Sequence, residues 1–154
     1  PLFEEGGVWA RVIAGEALGA SSPVRTHSPL FYVHVRLEPG GRVEVPPRYT
    51  GRAAFIVTGS VGVDARTYDA GRMLVFEAGR SVWLSALQSS TVMLLGGEPV
   101  GERHIEWNFV SSSRERIAKA KSDWRAGRMK LPDLDHDEFI PLPPESGAAA
   151  NPMS

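Results

Sequence analysis

Few side chains in this 154-residue sequence stand in a spacing that suits metal binding, proton transfer or anion binding. There are four histidines and no cysteine, so thiolate chemistry and disulfides are excluded. His34 stands between Tyr32 and Arg36 in an alternating stretch. Together with Arg52, Tyr32 and His34 could wall a small-molecule cavity, the guanidinium holding a carboxylate or phosphate bidentately. Arg52, His34 and Tyr32 are therefore the candidate ligand-binding residues. The plainer reading of Tyr32 and His34 is a solvent-facing sheet surface, because the inner face of a barrel should be the apolar one. His104 and Glu106 form a His-x-Glu pair that a strand would place on one side. Two ligands do not fix a metal site, and Arg103 next to them opposes a cation. His27 lies in a loop with Arg25 and has no nucleophile beside it, which leaves a structural hydrogen bond. His136 sits in an acidic run, residues 133–138, that reads as a solvated turn. Ser111, Ser112 and Ser113 lack the Gly-x-Ser-x-Gly setting of a nucleophile and read instead as a helix start. No catalytic residue and no metal-ligand set emerges.

The elements that must position these residues are mostly short strands. Residues 8–14 alternate and read as a strand closed by Gly15, and residues 19–29 form a Gly-, Ser- and Pro-rich loop. In the next strand Phe31, Val33, Val35 and Leu37 share one face, with Tyr32, His34 and Arg36 on the other. Residues 42–45 form a short strand ended by Pro46 and Pro47, which cannot donate to a sheet ladder. Residues 53–57 are a continuous apolar run, the pattern of a buried strand, and Thr58, Gly59 and Ser60 turn the chain into residues 61–63. Residues 68–71 read as a turn, and strands follow at 72–76, 81–84 and 91–95. Turn signals about every ten residues between short strands point to an all-β sandwich or barrel.

Ser112 and Glu115 are spaced as a capping box, predicting a helix from Ser113 to about Ala126 that stops at Gly127. Ile117, Ala120 and Trp124 form its narrow apolar stripe, suited to lying on the barrel surface. The tail from Leu131 is expected to be extended and partly docked through Phe139 and Ile140, with a disordered end from Gly147. Trp9, Trp83 and Trp124 read as packing residues. Trp107 with Phe109 reads either that way or as part of a surface meeting another domain. The division expected is a barrel over 1–110, a helix over 111–127 packed on it, and a tail over 128–154.

The formal net charge of −1 gives no electrostatic case for nucleic acid or an anionic membrane. No apolar run is long enough to span a bilayer, and the first residues do not form a signal peptide. A cytoplasmic protein is the expectation.

The stretch from Pro39 to Val63 resembles the first cupin motif, bounded here by Gly40 or Gly41 and by Gly59. Counting back from Gly59, Arg52 stands at the position of a cupin's Glu ligand, and Val45 and Pro47 stand at those of its two His. A second skeleton follows at Gly71, Glu77 and Gly79, with Val82 at the remaining His position. The resemblance thus implies a cupin-type β-barrel, a double-stranded β-helix or jelly roll, whose usual metal positions carry no ligands. Residues 105–117, 120–128 and 138–143, with Val12-Ile-Ala-Gly15 and residues 23–29, are similar to the carboxy-terminal cupin of the pirin family of bicupin proteins. The pirin resemblance places iron in an amino-terminal cupin whose His-Pro-His-Arg-Gly-Phe-Glu type of motif is not found in this sequence. Its further implications are quercetin 2,3-dioxygenase activity in some bacterial members and redox-dependent transcriptional co-regulation in the animal protein. The expected role is therefore a metal-free carboxy-terminal cupin without a cofactor of its own. It would support an amino-terminal cupin expected upstream of Pro1, or associate with a second copy of itself. The alternative is a non-catalytic module that binds a small ligand through Arg52.

Overall fold

A computed structural model describes residues 1–135 and 138–144. The readings of His136 and of the tail from Gly147 fall outside the described residues. Two compact units divide the chain, the first spanning Pro1–Val100 and the second running from Gly101.

The first unit is built from β1 (Leu2–Glu5), β2 (Val8–Ala17), β3 (Ala20–Ser21), β4 (Leu30–Leu37), β5 (Arg42–Val45), β6 (Gly51–Thr58), β7 (Ser60–Val63), β8 (Arg66–Asp69), β9 (Met73–Phe76), β10 (Val82–Ala86) and β11 (Ser90–Gly97). They form a seven-stranded sheet in the order β1-β2-β4-β11-β6-β9, with β3 paired to β2, and a four-stranded sheet in the order β5-β10-β7-β8. All pairings are antiparallel. One core joins the sheets: Val33, Val35, Ala54, Ile56, Val92 and Leu94 come from the larger, and Val43, Val45, Val61 and Leu84 from the smaller. Period-two alternation explains it, since each strand sends alternate side chains into the same dry layer.

Three expectations need correction. Gly15 does not close its strand: β2 continues to Ala17, with a register irregularity against β4 between Val12 and Ala14. Gly15 has φ +71°, and a Cβ there would lie 1.7 Å from the Leu30 carbonyl oxygen, so the glycine permits a bulge rather than an ending. The run at 53–57 is buried on one face only. Arg52, Ala54 and Ile56 point inward, while Ala53 and Phe55 are part-exposed and Val57 is exposed. Residues 68–71 are not all turn: Tyr68 and Asp69 end the strand β8, paired to β7, and only Ala70 and Gly71 turn the chain. The opening hairpin of β1 and β2, turning at Gly6 and Gly7, was not anticipated.

The second unit holds the hairpin β12 (His104–Glu106) and β13 (Phe109–Ser111), then the helix α1 (Arg114–Arg125). The N-cap is Ser113 rather than Ser112: its Oγ accepts from the Arg116 backbone N–H, and Ser113 donates to the Glu115 carboxylate. Ser111 takes a different job, its Oγ accepting from the Ser113 N–H. Gly127, at φ +63°, stops the helix as its left-handed conformation predicts. Within this unit Ile117 is buried, and Trp107, Phe109, Trp124 and Phe139 form a continuous run of ring contacts with centroids 4.9–5.5 Å apart. The Trp124 Nε1–H donates to the Ile140 carbonyl, so the tail docks through the Phe139 ring and the Ile140 backbone. No helix among the described residues is long and apolar enough to cross a membrane.

Candidate functional site

The larger sheet has two faces, and the candidate residues divide between them. Arg52 lies on the inner face of β6 and is 2% exposed. Its cross-strand partners are Gly96 on β11 and Phe76 on β9. Space beside it is taken by Phe31, whose ring would collide with any Cβ on Gly96 and which stands 5.1 Å from the ring of buried Tyr49. One Arg52 donor, Nη2, bonds to the Glu77 carbonyl in the β9–β10 connection, while Nε and Nη1 are buried and meet no acceptor among the described residues. No carboxylate forms an ion pair with Arg52 among the described residues.

Tyr32 and His34 lie on the outer face, alternating with buried Phe31, Val33 and Val35. They cannot share one ligand with Arg52, because the sheet stands between them. His34 is instead part of a basic aromatic cluster. Its ring meets Trp9 edge-on at 5.2 Å, the Arg36 guanidinium lies 4.3 Å from the Trp9 ring, and Arg11 lies 5.6 Å from it. Desolvation lowers the His34 pKa, and the neighbouring charges of Arg36 and Arg11 lower it further. Both causes favour the neutral imidazole, which can accept as well as donate a hydrogen bond.

Register carries this cluster across the face. One row runs Arg11, His34, Met93, Phe55, Met73 over β2, β4, β11, β6 and β9. A second runs Ala14, Tyr32, Leu95, Ala53, Val75. One side of the face is thus basic and the other apolar. At the apolar side Val75 is 79% exposed, Met73 52% and Val57 42%. A groove of about 630 Å³ opens beside it, between the unpaired edges of β8 and β9, lined in part by Tyr68, Met73, Val75 and Phe76. Sequence reasoning missed this face. The available signal was the unbroken apolar run at 53–57 beside Met73 and Val75, with no polar residue to cover the second side.

The remaining candidates stand apart. His104 and Glu106 do share a strand, but the Glu106 carboxylate is held 2.6 Å from Lys121 Nζ. Among the described residues no three His, Cys, Asp or Glu side chains come together. Val45 and Val82, which the resemblance places at two of a cupin's three His positions, are directly opposed cross-strand partners inside the barrel. Two valines and a guanidinium do not fit a divalent cation, since valine has no lone pair and arginine repels the ion.

Two sheets closing on a single core, with Gly59 turning the chain from one to the other, make this a jelly-roll barrel of the cupin class. A quercetin 2,3-dioxygenase structure from Acinetobacter baumannii has the same fold, with TM-score 0.81 at 22% identity over 97% of this chain and 52% of that one. Residues 32–130 match the pirin C-terminal cupin domain. The chain belongs to that family. It is 62% identical over 143 residues to a pirin-like protein of Caulobacter vibrioides, covering 93% of this chain and 50% of the relative. It is 34% identical over 135 residues to pirin of Homo sapiens, covering 81% of this chain and 46% of the relative. The chain thus spans about half the length of the curated relatives it matches.

Proposed function

We propose that this domain is a metal-free supporting cupin, and that the outer face of its larger sheet docks onto the other cupin of a pirin-like protein. The observation that carries this is the face itself. Met73 and Val75 share the outer side of β9, Val57 lies on the neighbouring strand β6, and all three are large and exposed, as in the apolar patches that mark interaction sites. The half-length match supports this choice of occupant, since about half of each relative's length lies outside the matched region, room for a second domain of similar size. The basic cluster of Arg11 and Arg36 around Trp9 and His34 at the other side of the face calls for an acidic rim on that partner and sets the docking direction. In this reading the partner holds the iron and any quercetin 2,3-dioxygenase-like chemistry. The contribution of this chain is burial and rigidity.

The test is hydrogen exchange on this chain, alone and mixed with the remaining half of the Caulobacter relative. Docking through this face protects amides of β6, β9 and β11 in the mixture and weakens as salt rises. Protection confined to other strands, or none, refutes the reading. Protection that appears without the partner and grows with concentration gives the face to a second copy of the chain instead.

A further inference from the structure

The free edges of the two sheets are not alike. β1 carries Glu4 and Glu5, β5 carries Arg42 and Glu44 and runs into Pro46 and Pro47, and β8 carries Arg66 and Asp69. Charged residues and prolines of this kind keep a strand edge from pairing with another chain. β9, the last strand of the larger sheet, reads Met73-Leu74-Val75-Phe76 and has neither. The Ile56 N–H bonds to the Arg72 carbonyl, so by alternation Leu74 and Phe76 bond to β6, and the main-chain groups of Met73 and Val75 point away from it along the free edge. The groove of about 630 Å³ opens along this edge, with β8 on its far side. Tyr68, Leu74 and Phe76 pack partly against the core and line it. At the end remote from the Ala70–Gly71 turn, Arg80 is paired with Asp64 at 2.7 Å, while Arg66 forms no ion pair among the described residues.

We propose that β9 accepts an added strand: an extended apolar segment of the other cupin half of a pirin-like protein, with an acidic residue at the end that lies by Arg66. Such a segment continues the larger sheet beyond β9, main chain to main chain. Its successive side chains point to opposite sides, one set filling the groove over Tyr68, Leu74 and Phe76, the other extending the exposed surface of Met73 and Val75. Both sets meet apolar groups and are apolar themselves, and the charge of Arg66 selects the carboxylate. A second copy of this chain fits less well. Two-fold pairing of β9 with itself is antiparallel and brings Arg72 of the second copy to the Phe76 end, towards Arg66 and Arg80. About half of each relative's length lies outside the matched region, room for the segment. The partner's identity rests on docking through the outer face; strand addition is a further contact that such docking does not require.

The experiment is residue-resolved amide exchange by NMR on the 154-residue chain, alone and with the remaining half of the Caulobacter relative. Strand addition should slow exchange of the Met73 and Val75 amides by about a hundredfold or more, alongside changes in β11 that report docking of the face. Val75→Pro deletes one of these two donors and should bind at least about tenfold more weakly than Val75→Ala, which keeps the N–H but gives up more apolar surface. Changes in β11 with Met73 and Val75 exchange unaltered, or equal binding by the two variants, overturn strand addition and leave docking in place. No change in β11, Met73 or Val75 overturns both. Protection that appears in the chain alone and grows with its concentration overturns the choice of partner and gives the edge to a second copy. If the remaining half does not fold by itself, it is joined to this chain in one polypeptide, and the same two amides decide.

Discussion

Replacing Val75 with glutamate tests the docking face most directly. Val75 is 79% exposed and sits on the edge strand β9, with its side chain on the outer face. In the isolated chain the substitution touches nothing buried, so stability should stay within about 0.5 kcal/mol of the original. In a docked state the balance differs. Full burial of a valine is worth about 1.5–3 kcal/mol, and roughly four-fifths of that remains to be gained where the side chain is still exposed, or about 1–2.5 kcal/mol. Glutamate forfeits this gain and must also lose hydration from its carboxylate against Met73 and Val57. Affinity for the remaining half of the Caulobacter relative should therefore fall by at least about tenfold, since 1.4 kcal/mol is a factor of ten. Isothermal titration calorimetry measures it, with circular dichroism confirming that both proteins are folded. Binding by the Val75→Glu chain at the original affinity, with fold intact, would refute the assignment of this face.

Three further outcomes follow from the geometry. Gly15→Ala should destabilise the chain by more than about 3 kcal/mol in urea unfolding, because the new Cβ meets the Leu30 carbonyl at a positive φ; Gly40→Ala, equally positive in φ but facing open space, should cost only about 1–2 kcal/mol. Ser113→Ala removes the helix cap and should cost about 1 kcal/mol, seen as faster amide exchange in the first turn of α1, while Ser112→Ala should be silent. The folded pKa of His34 lies below its ordinary 6.5, so the folded state binds fewer protons than the unfolded one. Its contribution to stability is complete above pH 6.5 and is lost as pH falls from there through the folded midpoint. Arg36→Gln should raise that midpoint in an NMR titration without restoring 6.5, because burial is the larger cause.

The inner layer of this fold was legible because it depends on local alternation. Phe31 to Leu37 declares its buried face residue by residue, and the glycine spacing around Gly59 marks where the chain changes sheets. The position count from Gly59 also singled out Arg52 as the odd residue of the interior. What local patterns do not carry is pairing between distant strands. Arg11, His34, Met93, Phe55 and Met73 lie far apart in sequence and become one row only through four separate registers. The run at 53–57 misled for the same reason: its apolar outer side chains signal an unpaired surface, which periodicity cannot distinguish from a second buried face. Gly15 misled because a strand end and a bulge use the same residue, and the choice is made by Leu30, on another strand. Tyr32 and Arg52 were grouped by chemistry, but the parity of their strands sends them to opposite sides.

The four crossings of the barrel near Gly59 have a consequence for how its interior can vary. The connections β4–β5, β6–β7, β8–β9 and β10–β11 are knitted by main-chain bonds: Gly40 N–H to Ala86 O, Ala86 N–H to Gly41 O, Ala70 N–H to Gly59 O and Leu87 N–H to Ser60 O, each 2.9–3.1 Å. Ser90 Oγ adds to the joint, accepting from Ser60 N–H and pointing to the Ser60 and Gln88 carbonyls. Peptide groups are common to every sequence, so this end is nearly indifferent to which side chains occupy the barrel. At the opposite end main-chain bonds such as Glu98 N–H to Pro29 O are joined by side-chain ties, Arg52 to the Glu77 carbonyl and the Tyr49 hydroxyl to the carbonyls of Glu16 and Leu30. Substitutions inside the barrel should therefore be felt more at that end than at the knitted one, which is held by groups that every residue carries.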